Sequence, residues 1–247
     1  MSSRKSVPDP QKKILYGESG SRCAMCKTKV VKTNEKGSKY QIGVMAHIKG
    51  YGKSSARHDP DLTPEQKNKS ENLILLCPNC HEEIDTNRED NSVEELQKIK
   101  EEHQEWVQDQ LKQGMNNVNF AELEVILKHL SNISMDPEEN YEVIPPKEKI
   151  EKNNLSSKVE NLLRLGLIQV NEVKDFINQH PDTDYSERLR NGFVSQYEEL
   201  KKEGYSDDAL FYEMLDFAGN SSGDFNSKAA GLAVLTYFFE QCEVFEK

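Results

Sequence analysis

A chain of 247 residues, 35% hydrophobic and 30% charged, is long enough for two ordinary domains, but its composition suits modest cores and much helical surface, not one extensive sheet. No apolar run approaches the ~18 residues of a membrane span, and Met1-Ser2-Ser3-Arg4-Lys5-Ser6 leads into no signal-type apolar segment, so a cytosolic protein without membrane contact is expected. The formal net charge of −11 argues against a nucleic-acid partner, yet it is unevenly spread: residues 1–70 carry 15 Lys and Arg against 6 Asp and Glu, while 71–113 carry 4 against 12 and 114–247 carry 13 against 25. Phosphate contact depends on the local field, which is positive over the first 70 residues.

In chain order, residues 1–12 are polar and Pro-containing and read as a loose arm or short helical lead-in, with a helix starting within 13–16. Cys23-x-x-Cys26 forms a knuckle, and Thr33-Asn34-Glu35-Lys36-Gly37 is a polar turn between two short strands, the second over 39–46 with His47 on or beside it. The segment between His47 and Asn72 is rich in Gly, Ser and cations; Lys49, Lys53 and Arg57 suit it to follow a phosphate backbone. Asn72-Leu73-Ile74-Leu75-Leu76-Cys77, bounded by Pro78 and Asn79, reads as a short buried strand entering a tight turn. A helix from about Cys80 sets His81 and Asp85 at i and i+4 on one face, about 5–6 Å apart, where an imidazole and a carboxylate can share a divalent ion. His47 is then available to take the proton of an attacking water.

Five cysteines stand at 23, 26, 77, 80 and 242. In a cytosolic chain two Cys-x-x-Cys knuckles about fifty residues apart read as one tetrahedral Zn²⁺ site on Cys23, Cys26, Cys77 and Cys80, since each turn presents two thiolates to the same ion. Cys242, among apolar and acidic residues, reads as a small buried hydrophobe.

Downstream, Ser92-Val93-Glu94-Glu95 is a capping box, and Val93, Leu96, Ile99, Trp106 and Leu111 recur at helical spacing. His103 lies between those apolar positions as a partly buried structural residue; His129 and His180 carry no functional claim. Gly114 to Asn119 breaks the pattern, Phe120 to Ile133 form an amphipathic connector helix, and 135–154 read as a linker of Pro residues and dense charge. The remainder reads as all helix, with segments at 157–165, 170–179, 185–203, 207–218 and 227–243, and the aromatic stretch Tyr237 to Phe245 is expected to be partly core and partly docking surface. The expected domains are therefore 1–113, a connector and linker over 114–154, and 155–247.

The strand, strand and helix order with His47, Asn72 and His81, together with the paired cysteines, resembles the HNH endonucleases over roughly residues 20–111. That resemblance implies a ββα-metal fold stabilised by zinc, and an α+β class overall once the small all-α domain is added. It makes His47 the general base, His81 and Asp85 ligands of a catalytic Mg²⁺ or other divalent ion, and Asn72 the residue that fixes the loop and orients the base. Many members carry a further ligand just before the base, where this chain has Ala46; water, substrate phosphate, or less readily His58, Asp59 or Asp61 would complete the shell. The segment 49–65, with its Asp-Pro and Thr-Pro-Glu elements, is similar to an insertion in HNH effectors of bacterial anti-phage systems.

A second resemblance joins Lys149-Ile150-Glu151-Lys152-Asn153-Asn154-Leu155-Ser156 to the terminal Tyr237-Phe238-Phe239-Glu240-Gln241-Cys242-Glu243-Val244-Phe245-Glu246. Over about 147–247 the chain is similar to the C-terminal domain of effectors in ABC-three-component systems, the relatives of Lamassu defence. This implies attachment to a middle component and an SMC-like ABC ATPase that senses foreign DNA. The expectation is a metal-dependent DNA endonuclease serving as an anti-phage effector, its acidic helical part docked on partner proteins or a second copy. Two rivals are a cyclic-nucleotide-activated CBASS-type HNH effector and a catalytically silent zinc module that binds nucleic acid.

Overall fold

A computed structural model describes residues 6–36, 38–131, 146–219, 223–241 and 244–245. The chain forms two compact units, Met1–Gln108 and Asp109–Lys247. The described residues are mostly helical with two small antiparallel sheets, an α+β protein as expected.

In the first unit, α1 (Asp9–Glu18) starts earlier than expected, because Pro10 suits a first helical turn, where no intrahelical N–H is needed. The single strand expected over 39–46 is two, β2 (Lys39–Gln41), paired with β1 (Val31–Thr33), and β3 (Val44–His47). The break is at Gly43, where a Cβ would come within 2.8 Å of Tyr16 Oη and 2.9 Å of Leu75 Cδ1; only glycine admits so close an approach. β3 pairs antiparallel with β4 (Leu73–Leu76) in the register Val44↔Leu76 to His47↔Leu73. All four β4 side chains are buried, which explains their uniformly apolar run. The short helix α2 (Pro64–Lys67) precedes a tight turn at Ser70–Asn72. The next helix, α3 (Pro78–Thr86), packs on β3 and β4 and begins at Pro78, not Cys80, because Pro serves as its first helical residue.

The long helix α4 (Val93–Asn117) opens with Ser92 Oγ accepting the Glu95 N–H at 3.2 Å. It does not stop at Gly114: a Cβ there would come within 2.8 Å of the Phe225 carbonyl, so this glycine serves a helix crossing instead of a helix end. The second unit adds α5 (Phe120–Ser131), α6 (Pro146–Lys152), α7 (Ser157–Gly166), α8 (Val170–Gln179), α9 (Tyr185–Lys202), α10 (Asp207–Ala218) and α11 (Phe225–Glu240). The expected segments 170–179 and 207–218 coincide with α8 and α10, while α6 lies where a linker was expected. Residues 132–145 of that linker, and Cys242, lie outside the described residues.

The core of this unit is α11, which packs against α5, α7, α8 and α10. Its residues 229–236 are all buried, and a helix apolar on every side is one that neighbours surround. Close crossings are made possible by Gly166, where a Cβ would meet Thr236 Oγ1 at 2.1 Å, and by Gly231, which would meet Gly219 N at 2.5 Å.

Candidate functional site

The two knuckles are brought together by β4. Ala24 N–H donates to the Leu75 carbonyl at 2.8 Å, which holds the 23–27 turn beside the strand that leads into Cys77. That turn closes with Lys27 N–H on the Cys23 carbonyl at 2.9 Å, and Cys77 is the N-cap of α3 with Cys80 in its first turn. The sulfurs of Cys23, Cys26, Cys77 and Cys80 all lie within 4.8 Å of one another, and Cys26 and Cys77 are 3.7 Å apart. Tetrahedral Zn–S bonds of about 2.3 Å put ligand sulfurs about 3.8 Å apart, so the four thiols fit such an ion.

Their acid–base chemistry agrees with that fit. Burial pushes the Cys23 thiol up, and burial with neighbouring thiols pushes Cys80 up further. At Cys26 burial also acts upwards, but hydrogen bonds with Thr28 and with the Cys23 and Cys77 thiols outweigh it and hold the group at about 6. Four thiolates this close repel one another; a bound dication reverses that balance. Among the described residues this is the one cluster of three or more metal-ligating side chains.

A cleft of about 840 Å³ opens beside β3 and α3 and is lined by His47, His81 and Asp85, with Lys53, Arg57 and Lys67 among its other walls. His47 reaches it from the last residue of β3, His81 and Asp85 from one face of α3, with His81 Nε2 3.8 Å from Asp85 Oδ2. Two ligands at about 2.0–2.2 Å from one ion can span that gap. Ala46, buried beside His47, also borders the cleft.

Of the three spare acid or imidazole groups, Asp61 is exposed and off the cleft lining, and the other two are otherwise engaged. Asp59 pairs with Lys49 at 2.8 Å and accepts the Asp61 N–H at 2.9 Å, while His58 Nδ1 lies 3.4 Å from both the Gly50 carbonyl and Lys67 Nζ.

Asn72 is buried, and its amide makes three bonds: Oδ1 accepts the Lys49 N–H at 2.9 Å, and Nδ2 donates to the Lys49 carbonyl at 3.0 Å and the Lys67 carbonyl at 2.9 Å. It thus ties both ends of the cleft loop to the start of β4. The imidazole of His47 meets a different amide: its Nε2 is 3.0 Å from Asn68 Oδ1, and its ring stands edge-on to Tyr51 at 5.6 Å. Asn68 and the buried Lys67 have no motif spacing, and only their nearness to Asn72 in the chain hints at a role.

Of the three cations expected to follow phosphate, Lys53 is exposed on the cleft wall. Lys49 is held by Asp59. Arg57 lines the cleft but donates from Nε to the Ile48 carbonyl at 3.0 Å and from NH1 to the Asn91 carbonyl at 3.1 Å, so it also fastens the loop. His103 is fully buried, Nε2 donating to the Ser19 carbonyl at 3.0 Å and Nδ1 facing Lys27 Nζ at 3.0 Å.

In the second unit the two terminal motifs meet. Lys149, buried, donates to the Phe239 carbonyl at 2.8 Å and stands 4.5 Å from the centre of the Phe239 ring. A cation on the last turn of α11 adds a donor to a carbonyl at the helix end and favours the helix dipole. Phe245 packs against Phe211, Phe239 and Tyr197 in the same core. No helix among the described residues is long and apolar enough to cross a membrane.

No curated protein matches the chain. A family model for C-terminal domain 10 of the ABC-three component (ABC-3C) systems matches residues 118–246, bearing out the resemblance read over 147–247 and extending it forward to include α5. With 129 of its 247 residues inside that match, the chain belongs to the family of proteins carrying C-terminal domain 10 of the ABC-3C systems.

Proposed function

We propose that the first unit is a metal-dependent HNH endonuclease that cleaves DNA, and that the chain is the effector of an ABC-3C anti-phage complex, attached through its second unit to a middle component and an SMC-like ATPase. The observation that carries the nuclease reading is the convergence of His47, His81 and Asp85 on one cleft walled by cations. His47 accepts the proton of the attacking water, Asn72 holds the loop that closes the cleft, and Lys53 with its neighbours holds the strand. A divalent ion on His81 and Asp85 would polarise the scissile phosphate and stabilise the leaving oxygen, with water and phosphate as its remaining ligands. Zinc on the four cysteines would be structural.

One observation favours the rival reading of a silent zinc module: among the described residues no third acidic, imidazole or thiol ligand joins His81 and Asp85. Plasmid cleavage by the full chain, alone and with its partner components, with Mg²⁺ or Mn²⁺ and with chelator, separates the two. Metal-dependent nicking, lost in His47→Ala while DNA affinity and about one bound Zn²⁺ per chain are retained, is the expected result. DNA binding without cleavage under every condition would leave the binding module.

A further inference from the structure

The His47 imidazole has two nitrogens, and only the unprotonated one can receive a proton, so the tautomer decides which atom acts. Asn68, directly after α2, is buried, with Oδ1 3.0 Å from His47 Nε2 and Nδ2 donating to the Ser6 carbonyl at 3.4 Å. A backbone carbonyl can only accept, which requires the amide NH₂ to face Ser6 and leaves the amide oxygen for the imidazole. With the amide so turned, Nε2 is the donor, and in the neutral ring the lone pair is on Nδ1.

Asn68 is itself held. Its N–H bonds the Glu65 carbonyl at 3.0 Å, and α2 is closed by a reciprocal pair in which Thr63 N–H donates to Gln66 Oε1 at 2.9 Å and Gln66 N–H to Thr63 Oγ1 at 3.2 Å. The preceding carbonyl, of Lys67, accepts from Asn72 Nδ2 at 2.9 Å. A chain of contacts thus runs from Asn72 through the Lys67 peptide and Asn68 to the His47 ring.

We propose that Asn68 is the positioning residue that locks His47 in its Nε2–H tautomer and so assigns Nδ1 as the nitrogen that takes the proton of water; Asn72 acts on the ring one step removed, by holding the turn that carries Asn68. This rests on the nuclease reading above for its consequence in catalysis, but the tautomer is open to direct measurement. Long-range ¹H–¹⁵N NMR of the full chain, with His47→Ala to assign the signals, should find His47 protonated at Nε2 in the wild type. An Nδ1–H tautomer would overturn the proposal.

In cleavage assays Asn68→Leu should lower kcat about 10- to 100-fold, less than the 10²–10⁴ that a general base itself contributes, with KM within about twofold. Retained zinc and helical circular dichroism show that this variant folds. Asn68→Asp keeps the acceptor and adds a charge that favours imidazolium, so it should recover most of kcat and move the acid limb of the kcat–pH profile up by about one pH unit. Lys53, Arg57, His58, Lys67, His81 and Asp85 share the cleft in every variant, so the difference reports position 68. An unmoved limb in Asn68→Asp, or wild-type kcat in Asn68→Leu, would sink the assignment. If the wild type cleaves nothing yet carries the Nε2–H tautomer, the nuclease reading falls and the Asn68–His47 contact stands.

Discussion

Arg57 and Lys53 look alike in the sequence, two cations in one Gly- and Ser-rich segment, and the fold separates them. Arg57 ends in two backbone carbonyls and has φ +58, whereas Lys53 is exposed on the cleft wall. Removing a donor from buried carbonyls costs about 1–3 kcal/mol. Arg57→Ala should therefore lower the stability of the first unit by that amount, and Lys53→Ala should leave melting unchanged while weakening DNA binding and reducing its salt dependence by about one phosphate contact. Equal loss of melting temperature in both would contradict the distinction. His103 was legible as structural because it falls between apolar helix positions, but its partners, Ser19 and Lys27, lie over 70 residues away in the chain and no local pattern names them. Burial, and then the Lys27 ammonium, depress its pKa from 6.5 to about 4. The unfolded chain therefore takes up this proton before the folded one does: the stabilisation is fully present above pH ~6.5 and is lost as pH falls towards ~4. Between pH 7.5 and 5.5 the wild type should lose about 1 kcal/mol more than His103→Gln in denaturant titrations; equal losses would show that His103 is protonated in the folded state.

The bounds of α8 and α10 were readable to the residue: the buried Val173 and Ile177 of α8 stand four apart and Pro181 follows it, while Gly204 and Gly219 bracket the largely buried α10. α6 was not readable. Its seven residues are mostly charged and begin at Pro146, and the buried one among its described side chains is Lys149, whose partner Phe239 lies 90 residues downstream. Gly114 misled for the opposite reason, since a glycine that admits a crossing helix and one that ends a helix are identical in sequence. The close contact makes a clear prediction. Gly114→Val would drive side-chain atoms into Phe225 and Ala229 on α11, where a Cβ already lies 2.8 Å from the Phe225 carbonyl and 3.1 Å from the Ala229 Cβ. Overpacking of this kind costs about 1–3 kcal/mol, read as a lower denaturation midpoint of the second unit, despite the better helix propensity of valine. A neutral or stabilising effect would mean that α4 ends before the crossing.

The two Cys-x-x-Cys turns, the strand after Asn72 and the placement of His81 and Asp85 on one helix face could be read from the sequence because local spacing sets them; the extent of the helical unit could not, since α5 meets the rest of it through contacts far apart in the chain. α5 buries Leu123, Ile126, Leu127 and Leu130 and packs on α8, α9 and α11. At about 1.5–3 kcal/mol for each buried side chain, these four alone represent about 6–12 kcal/mol, an upper bound comparable with the whole stability of an ordinary domain. A fragment of residues 155–247 lacks α5 and also α6, whose Lys149 caps the last turn of α11. A fragment of 109–247 keeps both, together with Gly114 and the buried Met115 that belong to the same core. The longer fragment should therefore melt cooperatively by circular dichroism and exchange its α11 amides slowly, and should compete with the full chain for the partner components. The shorter one should be aggregated or molten, with exposed apolar surface that binds a hydrophobic dye. If 155–247 instead melted with the same midpoint and cooperativity as 109–247, α5 would be a dispensable cover and the assembly surface would reside in α7 to α11 alone.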